Sequence, residues 1–456
     1  MKQQSIERVR LWDGHRDLGV VTLVWRGDEI LEVRPEPAGT AHDDELSIIP
    51  GLVDTHVHLD GHAGENPPGW HSNWSLVTPP EELVFHIAAN AQKAMRAGVT
   101  TLRELGGDER QLAVSRVFEQ GIQVGPRLVV HCQVGMTAGH GDLFIPPQYP
   151  HRRPVADSPD ECRKLVRTWA RKGAHGIKIH VSGGVLSQGD KVGWRNQTVD
   201  EIRSTIDEAH ALGMPVAAHS HSQPTAKLAL EEGVDSIEHG TGLDAELWPA
   251  AVARNLPVAP TLLINDRLAD GTIPVGDEAR EKALAVVAER DANFGGAADA
   301  GVRFVLGTDA NGVMVQFGEQ LDETRRMRDV FSWSDERTLI AATSDAAAAV
   351  GLGDTVGTLA PGFGADFVLL RGRPWQRIED LRADAIVAVV SRGRVVEGVL
   401  PTASSSSSAA PSSSAEIAES PGSTTSDVDT PTEVGDSAEE NAPAAPISAT
   451  EHVAAP

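Results

Sequence analysis

The sequence predicts a (β/α)8 TIM barrel with an accessory β-sandwich built from both chain ends, followed by a disordered tail. Eight short apolar runs alternate with amphipathic segments between residues 51 and 354, as a barrel requires. Short strand-like segments without helical periodicity fill residues 1–50 and return over 355–400. From residue 401 to 456 the composition becomes polar and acidic.

The accessory domain is predicted from similar patterns at the two ends of this region. SIERVRLWDGH, GVVTLVWRGDEILEVRP and LSIIPG precede residue 51, and GTLAPGFGADFVLLRG and AIVAVVSRGRVVEGV follow residue 354. Turn residues separate these short runs, which is typical of antiparallel strands. We therefore expect the chain to leave the accessory domain at Pro50 and to return near Thr355.

The barrel is predicted from the order of its apolar runs. The runs span residues 52–58, 99–104, 127–133, 176–181, 215–220, 235–240, 257–262 and 303–309. Segments with helical periodicity lie between them, and those at 79–98, 158–173 and 198–213 each end on Gly, a common residue at helix C-termini. An open doubly wound sheet is the alternative, but it is expected to have a Gly-rich phosphate loop after its first strand, and this sequence has none.

Composition excludes several classes of function. A formal net charge of −25 argues against a nucleic-acid-binding surface and against attraction to anionic membranes. Cys132 and Cys162 form no CxxC pattern, which argues against a disulfide framework. The sequence shows neither a secretory leader nor a long apolar span, so we expect a cytoplasmic protein. The tail has nine acidic residues and no Lys or Arg, too polar to bury a core.

Side chains suited to metal binding occur at the ends of the predicted barrel strands. The carboxyl ends of all eight strands meet at one mouth of such a barrel. His56 and His58 are two residues apart on one strand and therefore project to the same side, while Val57 points the other way. The other strand ends supply Lys178, His219, His239 and Asp309. Imidazole and carboxylate suit zinc and neighbouring first-row metals, so this set predicts a metal site.

The lysine in this set calls for a different explanation, because an ammonium group is no metal ligand. Lys178 lies in the apolar strand GIKIH, where burial lowers the pKa of an amine. A neutral amine can react with carbon dioxide to form a carbamate, whose oxygens can bridge two metals. A core-edge lysine paired with an acid is the alternative.

The chain resembles the amidohydrolase superfamily, and within it the imidazolonepropionase-related branch of Xaa-Pro dipeptidases, ochratoxin-type amidases, and phenylurea and molinate hydrolases. The resemblance covers about residues 5–400. It rests on PGLVDTHVHLD, AGVTTLREL, GHGD, GIKIHVSGG, AHS, GVDSIEHG and GTDA, together with the segment that ends in VGTLAPGFGADFVLL.

The resemblance implies a site for one or two divalent metal ions, with zinc favoured and cobalt or manganese as alternatives. His56, His58 and Asp309 would bind one ion and His219 and His239 the other, with carboxylated Lys178 as the bridge. Hydrolysis would proceed by attack of hydroxide held at the metals. Asp309 would transfer the proton, and His140 in GHGD would contact the substrate near its carbonyl.

Substrate contacts are expected from loops around the mouth. Trp70 and Trp74 follow the first strand, and Trp194 and Arg195 follow the fourth; the tryptophans could line an apolar pocket or only anchor their loops. His221 could be a pocket residue, a further ligand or a loop histidine. Dipeptidases of this branch commonly have Tyr at the position of His221, where the phenol helps to hold the substrate carboxylate.

The absence of that tyrosine favours a neutral small-molecule substrate, an aryl amide, phenylurea or carbamate, with non-peptide C–N bonds favoured over peptide bonds. An Xaa-Pro dipeptidase or N-acyl amino acid hydrolase is the alternative, because Arg195 could bind a carboxylate. A non-catalytic metal-binding barrel is a third hypothesis. We expect neither nucleic-acid nor membrane partners, and the question of a homo-oligomer stays open.

Overall fold

The computed structural model describes residues 2–64, 74–150 and 152–401, with the side chains of residues 74 and 75 excepted. Trp70 and the predicted tail beyond Pro401 lie outside the described residues. The strands are β1 (Gln3–Trp12), β2 (Asp17–Arg26), β3 (Glu29–Pro35), β4 (Leu46–Pro50), β5 (Leu52–Val57), β6 (Val99–Gly107), β7 (Arg127–Gln133), β8 (Gly176–His180), β9 (Val216–Ser220), β10 (Ser236–His239), β11 (Pro257–Ala259), β12 (Arg303–Phe304), β13 (Phe367–Arg371), β14 (Ile386–Ser391) and β15 (Arg394–Gly398).

Helices follow most strands of the central region. They are α1 (Trp74–Val77), α2 (Pro80–Arg96), α3 (Glu109–Glu119), α4 (Pro159–Lys172), α5 (Val199–Ala211), α6 (Gln223–Glu232), α7 (Trp248–Ala253), α8 (Leu262–Asp270), α9 (Asp277–Asp299), α10 (Gln320–Phe331), α11 (Asp335–Ala342) and α12 (Ser344–Ala349). The three helical segments predicted from periodicity correspond to α2, α4 and α5. Within the described ranges, no helix has the length and apolar content needed to cross a bilayer.

β5 to β12 form a parallel sheet in chain order, and this sheet closes into a barrel. Backbone hydrogen bonds join β5 to the segment after β12: Thr55 N donates to Leu306 O at 2.9 Å and Asp309 N donates to His56 O at 2.8 Å. Val57 and Ala310 form a parallel bridge beside them. The predicted (β/α)8 fold is therefore confirmed. The bonds also place Asp309 next to the histidines of the first strand.

The strands of the two chain ends form a second sheet, called here the terminal sheet, in the order β15-β14-β13-β4-β1-β2-β3. Trp25 in β2 and Phe367 in β13 lie with ring centroids 5.3 Å apart. Three strand spacings separate β2 from β13 in the sheet order, about 14 Å in a flat sheet, so the sheet curls over its own core. Trp25 Nε1 donates to Gly393 O at 3.1 Å across this core.

The helices around the barrel begin and end at capping residues that are visible in the local sequence. Thr198 and Glu201 form a reciprocal capping box at the start of α5. α4 begins after Ser158, whose side chain accepts a hydrogen bond from Glu161 N, and ends at Gly173 with a φ of 88°, a conformation that favours glycine. These ends fix where each strand-helix unit turns and hence where the loops of the mouth begin.

Candidate metal centre

Alternation along β5 directs two histidines into the barrel mouth. Val57 between them is fully buried in the core. His56 Nε2 lies 3.6 Å and His58 Nε2 lies 3.3 Å from Asp309 Oδ1, so these three side chains converge. Burial opposes protonation of His58, but Glu104 and Asp309 outweigh this effect and raise its pKa.

Lys178 reaches the same mouth from β8, between Ile177 and Ile179, which pack outward in the core. Its side chain is 1 % exposed. Its nitrogen makes no hydrogen bond and no ion pair within 4.0 Å to the described residues. Burial lowers the pKa of its amine to about 8. An amine with this pKa is partly neutral near pH 7, and the neutral amine is the nucleophile that attacks carbon dioxide.

Three further imidazoles lie against one another at the ends of β9 and β10. His219 and His239 have ring centroids 4.6 Å apart, and His221 stacks on His239 at 4.4 Å. One nitrogen of each of the three rings lies within 4.8 Å of the others, close enough for one metal ion. The sequence left the role of His221 open, and the structure brings it into this group.

A second group with the same spacing consists of His56, His239 and Asp309. His239 and Asp309 both adopt positive φ angles, 66° and 57°, which non-glycine residues rarely do. Such strain persists where the surrounding structure enforces it, and it is concentrated at functional sites. His239 is the last residue of β10, and Asp309 lies after β12 in the segment that hydrogen-bonds to β5.

The protonation states of these histidines fit a divalent cation. Burial, together with neighbouring cationic groups, lowers the pKa of His56, His219 and His239 well below the ordinary value. Neutral imidazoles offer a lone pair to a metal, whereas protonated ones do not. His239 Nδ1 lies 2.7 Å from Thr261 Oγ1, which orients the ring and leaves Nε2 for a ligand. The donor set therefore fits a divalent metal.

A buried ion pair between Arg103 and Glu238 lies next to His56, and the sequence patterns described above did not predict it. Glu238 Oε2 lies 2.9 Å from His56 Nδ1, and Glu238 Oε1 accepts from Arg103 Nη2 at 2.7 Å and from Ser236 Oγ at 2.6 Å. All four side chains are almost fully buried. A charged residue inside an apolar strand is the signal that could have identified Arg103 and Glu238, as it identified Lys178.

His180 was also missed, although it follows Lys178 by two residues on β8 and so projects to the same side. Its ring lies 5.0 Å from that of His140. The i, i+2 rule that selected His56 and His58 would have selected this pair as well.

All six predicted ligands line one cavity of about 1210 Å³ at the barrel mouth. Two of the predicted substrate contacts, His140 and His221, line it too. Trp194 and Arg195 are not part of the lining: both are exposed, and Arg195 forms an isolated bridge with Ser182. Substrate contact by these two residues is therefore not supported. The side chains of Trp70 and Trp74 lie outside the described residues.

The cavity lining also includes a group of apolar side chains, called here the apolar wall, and four paired arginines. The wall contains Leu186, Ile264, Leu268, Ile273 and Met314. The arginines in the described lining are bound to carboxylates, in the pairs Arg110–Asp108, Arg152–Asp142, Arg153–Asp60 and Arg267–Glu319.

Comparison with known proteins gives a family match and related structures. The sequence model of the amidohydrolase family matches residues 47–400. Ochratoxinase from Aspergillus niger is 27% identical over 368 residues, covering 76% of this chain and 74% of that protein. The structure of a Xaa-Pro dipeptidase with bound methionine is 26% identical with a TM-score of 0.76, covering 87% of this chain and 100% of that one. Phenylurea hydrolase B, at 23% identity and a TM-score of 0.70, covers 86% of this chain and 96% of its own, and shows the fold alone.

Proposed function

Because the chain belongs to the amidohydrolase family, we propose that it is a metal-dependent hydrolase that cleaves an amide-type C–N bond in a neutral small molecule. Aryl amides, phenylureas and carbamates are the substrate classes we favour. The main observation in favour of a hydrolase is that six side chains from five separate segments of the barrel line one cavity.

One or two divalent ions, zinc before cobalt or manganese, would be held by His56, His58, His219, His239 and Asp309. We propose carboxylated Lys178 as the ligand between them, and His221 is close enough to join the group around His219 and His239. When bound, such ions polarise a carbonyl and lower the pKa of water.

Asp309 is the residue we assign to proton transfer. Its Oδ1 lies between the imidazoles of His56 and His58, and the side chain is partly open to the cavity. From this position it can take a proton from the attacking water and deliver it to the departing nitrogen.

The paired arginines of the cavity favour a neutral substrate. A substrate carboxylate would need a cation whose charge is not already balanced, and each arginine of the described lining is already paired with an acid. The apolar wall instead offers contact area to an aromatic or alkyl group. A neutral aryl amide places its ring on the wall without leaving a charge unpaired.

A Xaa-Pro dipeptidase or N-acyl amino acid hydrolase is the second candidate. The likeness to the Xaa-Pro dipeptidase structure favours the dipeptidase, at 26% identity against 23% for the phenylurea hydrolase structure. A metal-binding barrel without catalysis is a third candidate.

The test is a hydrolysis screen of the full chain loaded separately with zinc, cobalt and manganese. Matched substrates should share one aryl amide and differ only by a free carboxylate. We expect faster turnover of the neutral member, and activity confined to the carboxylate member would establish the second candidate. Metal analysis accompanies the screen: tightly bound metal with no turnover of any substrate would favour the non-catalytic barrel.

A further inference from the structure

A chain of hydrogen bonds leads from helix α9 through the loop after β8 to His140. Ser187 Oγ lies 3.2 Å from His140 Nδ1 and 2.7 Å from Asp190 Oδ2. Lys282 Nζ donates to Asp190 Oδ1 at 2.9 Å and to the carbonyl oxygen of Ser187 at 2.8 Å. Ser187 and Asp190 are buried. We call Ser187, Asp190 and Lys282 together the Ser187 chain.

The proton positions along this chain follow from its chemistry. Burial opposes ionisation of Asp190, but hydrogen bonds from Ser187 and Lys282 outweigh it and lower the pKa of the carboxyl. A carboxylate only accepts, so the single hydroxyl hydrogen of Ser187 points to Asp190. The other acceptor within reach, Gly184 O, is farther away at 3.3 Å. Toward His140 the hydroxyl oxygen can only accept, and Nδ1 of His140 must therefore carry a hydrogen.

The cavity side of His140 is then an acceptor. A neutral imidazole with its hydrogen on Nδ1 has a bare lone pair on Nε2. His140 lines the cavity and stacks on His219 with ring centroids 4.4 Å apart. Its Nε2 makes no hydrogen bond to the part of the chain that the structure describes. A bare Nε2 attracts an N–H group and repels a carbonyl oxygen, which argues against the carbonyl contact expected from the sequence.

We propose that Ser187, Asp190 and Lys282 are positioning residues that hold His140 as the acceptor for a substrate N–H. This selects secondary amides, N–H ureas and N–H carbamates over tertiary amides. The inference rests on the proposed function, because it refines the substrate of the same site. It also separates the proposed hydrolase from a Xaa-Pro dipeptidase, since the bond before proline is a tertiary amide without an N–H.

The tautomer can be measured without turnover. The zinc-loaded full chain is labelled with 15N-histidine, and the difference between wild type and His140→Gln isolates the His140 signals by NMR. We expect the hydrogen on Nδ1 in wild type and a mixture of tautomers in Ser187→Ala. Glu278→Gln is the matched control, because Glu278 contacts Lys282 from the exposed side without belonging to the Ser187 chain. A wild-type hydrogen on Nε2 would overturn the proposal.

The kinetic arm compares 4-nitroacetanilide with its N-methyl counterpart. We expect wild type and Glu278→Gln to prefer the N–H substrate by about tenfold in kcat/KM, the size of one hydrogen bond lost with its acceptor left unpaired. Ser187→Ala should lose most of this preference while keeping its metal content. Equal rates for both substrates in wild type would also overturn the proposal. If neither is hydrolysed, the result counts against the proposed function, and the NMR measurement still decides the His140 tautomer.

Discussion

A buried carboxylate of the terminal sheet, Asp366, has several protein partners, whereas the buried amine of Lys178 at the barrel mouth has none among the described residues. Asp366, which leads into β13, accepts hydrogen bonds from Arg127 at 2.9 Å, Ser391 at 3.1 Å and the backbone of Arg392 at 2.9 Å. At the mouth, Lys178 has no such partner and the histidines crowd against one another. The terminal sheet uses polarity to stabilise the fold. At the mouth, polar side chains without protein partners are available to a ligand, and leaving them unpaired costs stability.

Metal removal should give the largest difference between the two regions: the barrel mouth should lose its activity and the terminal sheet should keep its structure. Dialysis against a chelator is expected to abolish hydrolysis, because the proposed reaction needs a metal ion to polarise the carbonyl and to lower the pKa of water. The near-UV circular dichroism of the terminal-sheet tryptophans should stay the same. Added zinc should restore activity, and turnover that survives complete metal loss would refute the metal site.

Lys178→Met should reduce kcat by about 100-fold or more, since it removes the proposed carbamate. The melting temperature of the metal-free protein should stay the same or rise, because in that state Lys178 is a buried amine without a hydrogen-bond partner and destabilises the fold. Lys164→Met, on an exposed position of α4, is the control. Bound metal is measured in both variants by elemental analysis. Full activity of Lys178→Met would rule out the lysine as a ligand.

Glu238→Gln tests the support beneath His56. We expect metal affinity to fall by about 10- to 100-fold because the partner of His56 Nδ1 is lost. Stability should fall by about 3–5 kcal/mol, because Arg103 would be left as an uncompensated buried charge. Metal titration and urea unfolding measure the two effects, with exposed Glu246→Gln as the control. An unchanged metal affinity would show that the pair serves only the fold.

Trp25→Ala should lower the stability of the fold and leave the hydrolytic activity unchanged. The side chain is fully buried in the core of the terminal sheet, so its loss should cost about 3–5 kcal/mol. Activity per folded molecule should be retained. Trp194→Ala removes an exposed tryptophan and should change stability by less than about 0.5 kcal/mol. A selective loss of kcat in Trp25→Ala would show that the two sheets are coupled.

Truncation after Leu400 should have the smallest effect. The removed segment is polar and acidic and has too little apolar surface to contribute to a core. We expect unchanged kcat/KM and melting temperature, and a large loss of either would assign the tail a role in the folded part.

Periodicity and end signals in the sequence were enough to locate the barrel. Each of the eight apolar runs coincides with a barrel strand, although β6 continues past its run to Gly107. In the run at 303–309, β12 covers only Arg303–Phe304, and the following residues close the barrel on β5. The i, i+2 spacing correctly placed His56 and His58 on one side. Trp194 and Arg195 were expected at the mouth only because their loop follows β8; both are exposed and outside the cavity lining, since strand alternation does not set the path of a loop.

The sequence by itself determined which side chains project from the strand ends, since strand alternation and the common mouth of a parallel barrel are local and geometric rules. Only the tertiary structure decided how they are paired: that Glu238 lies under His56, that His221 joins His219 and His239, and that Lys282 reaches His140 through Ser187. These pairings join residues far apart in the chain, and their geometry depends on how the strands close around one another.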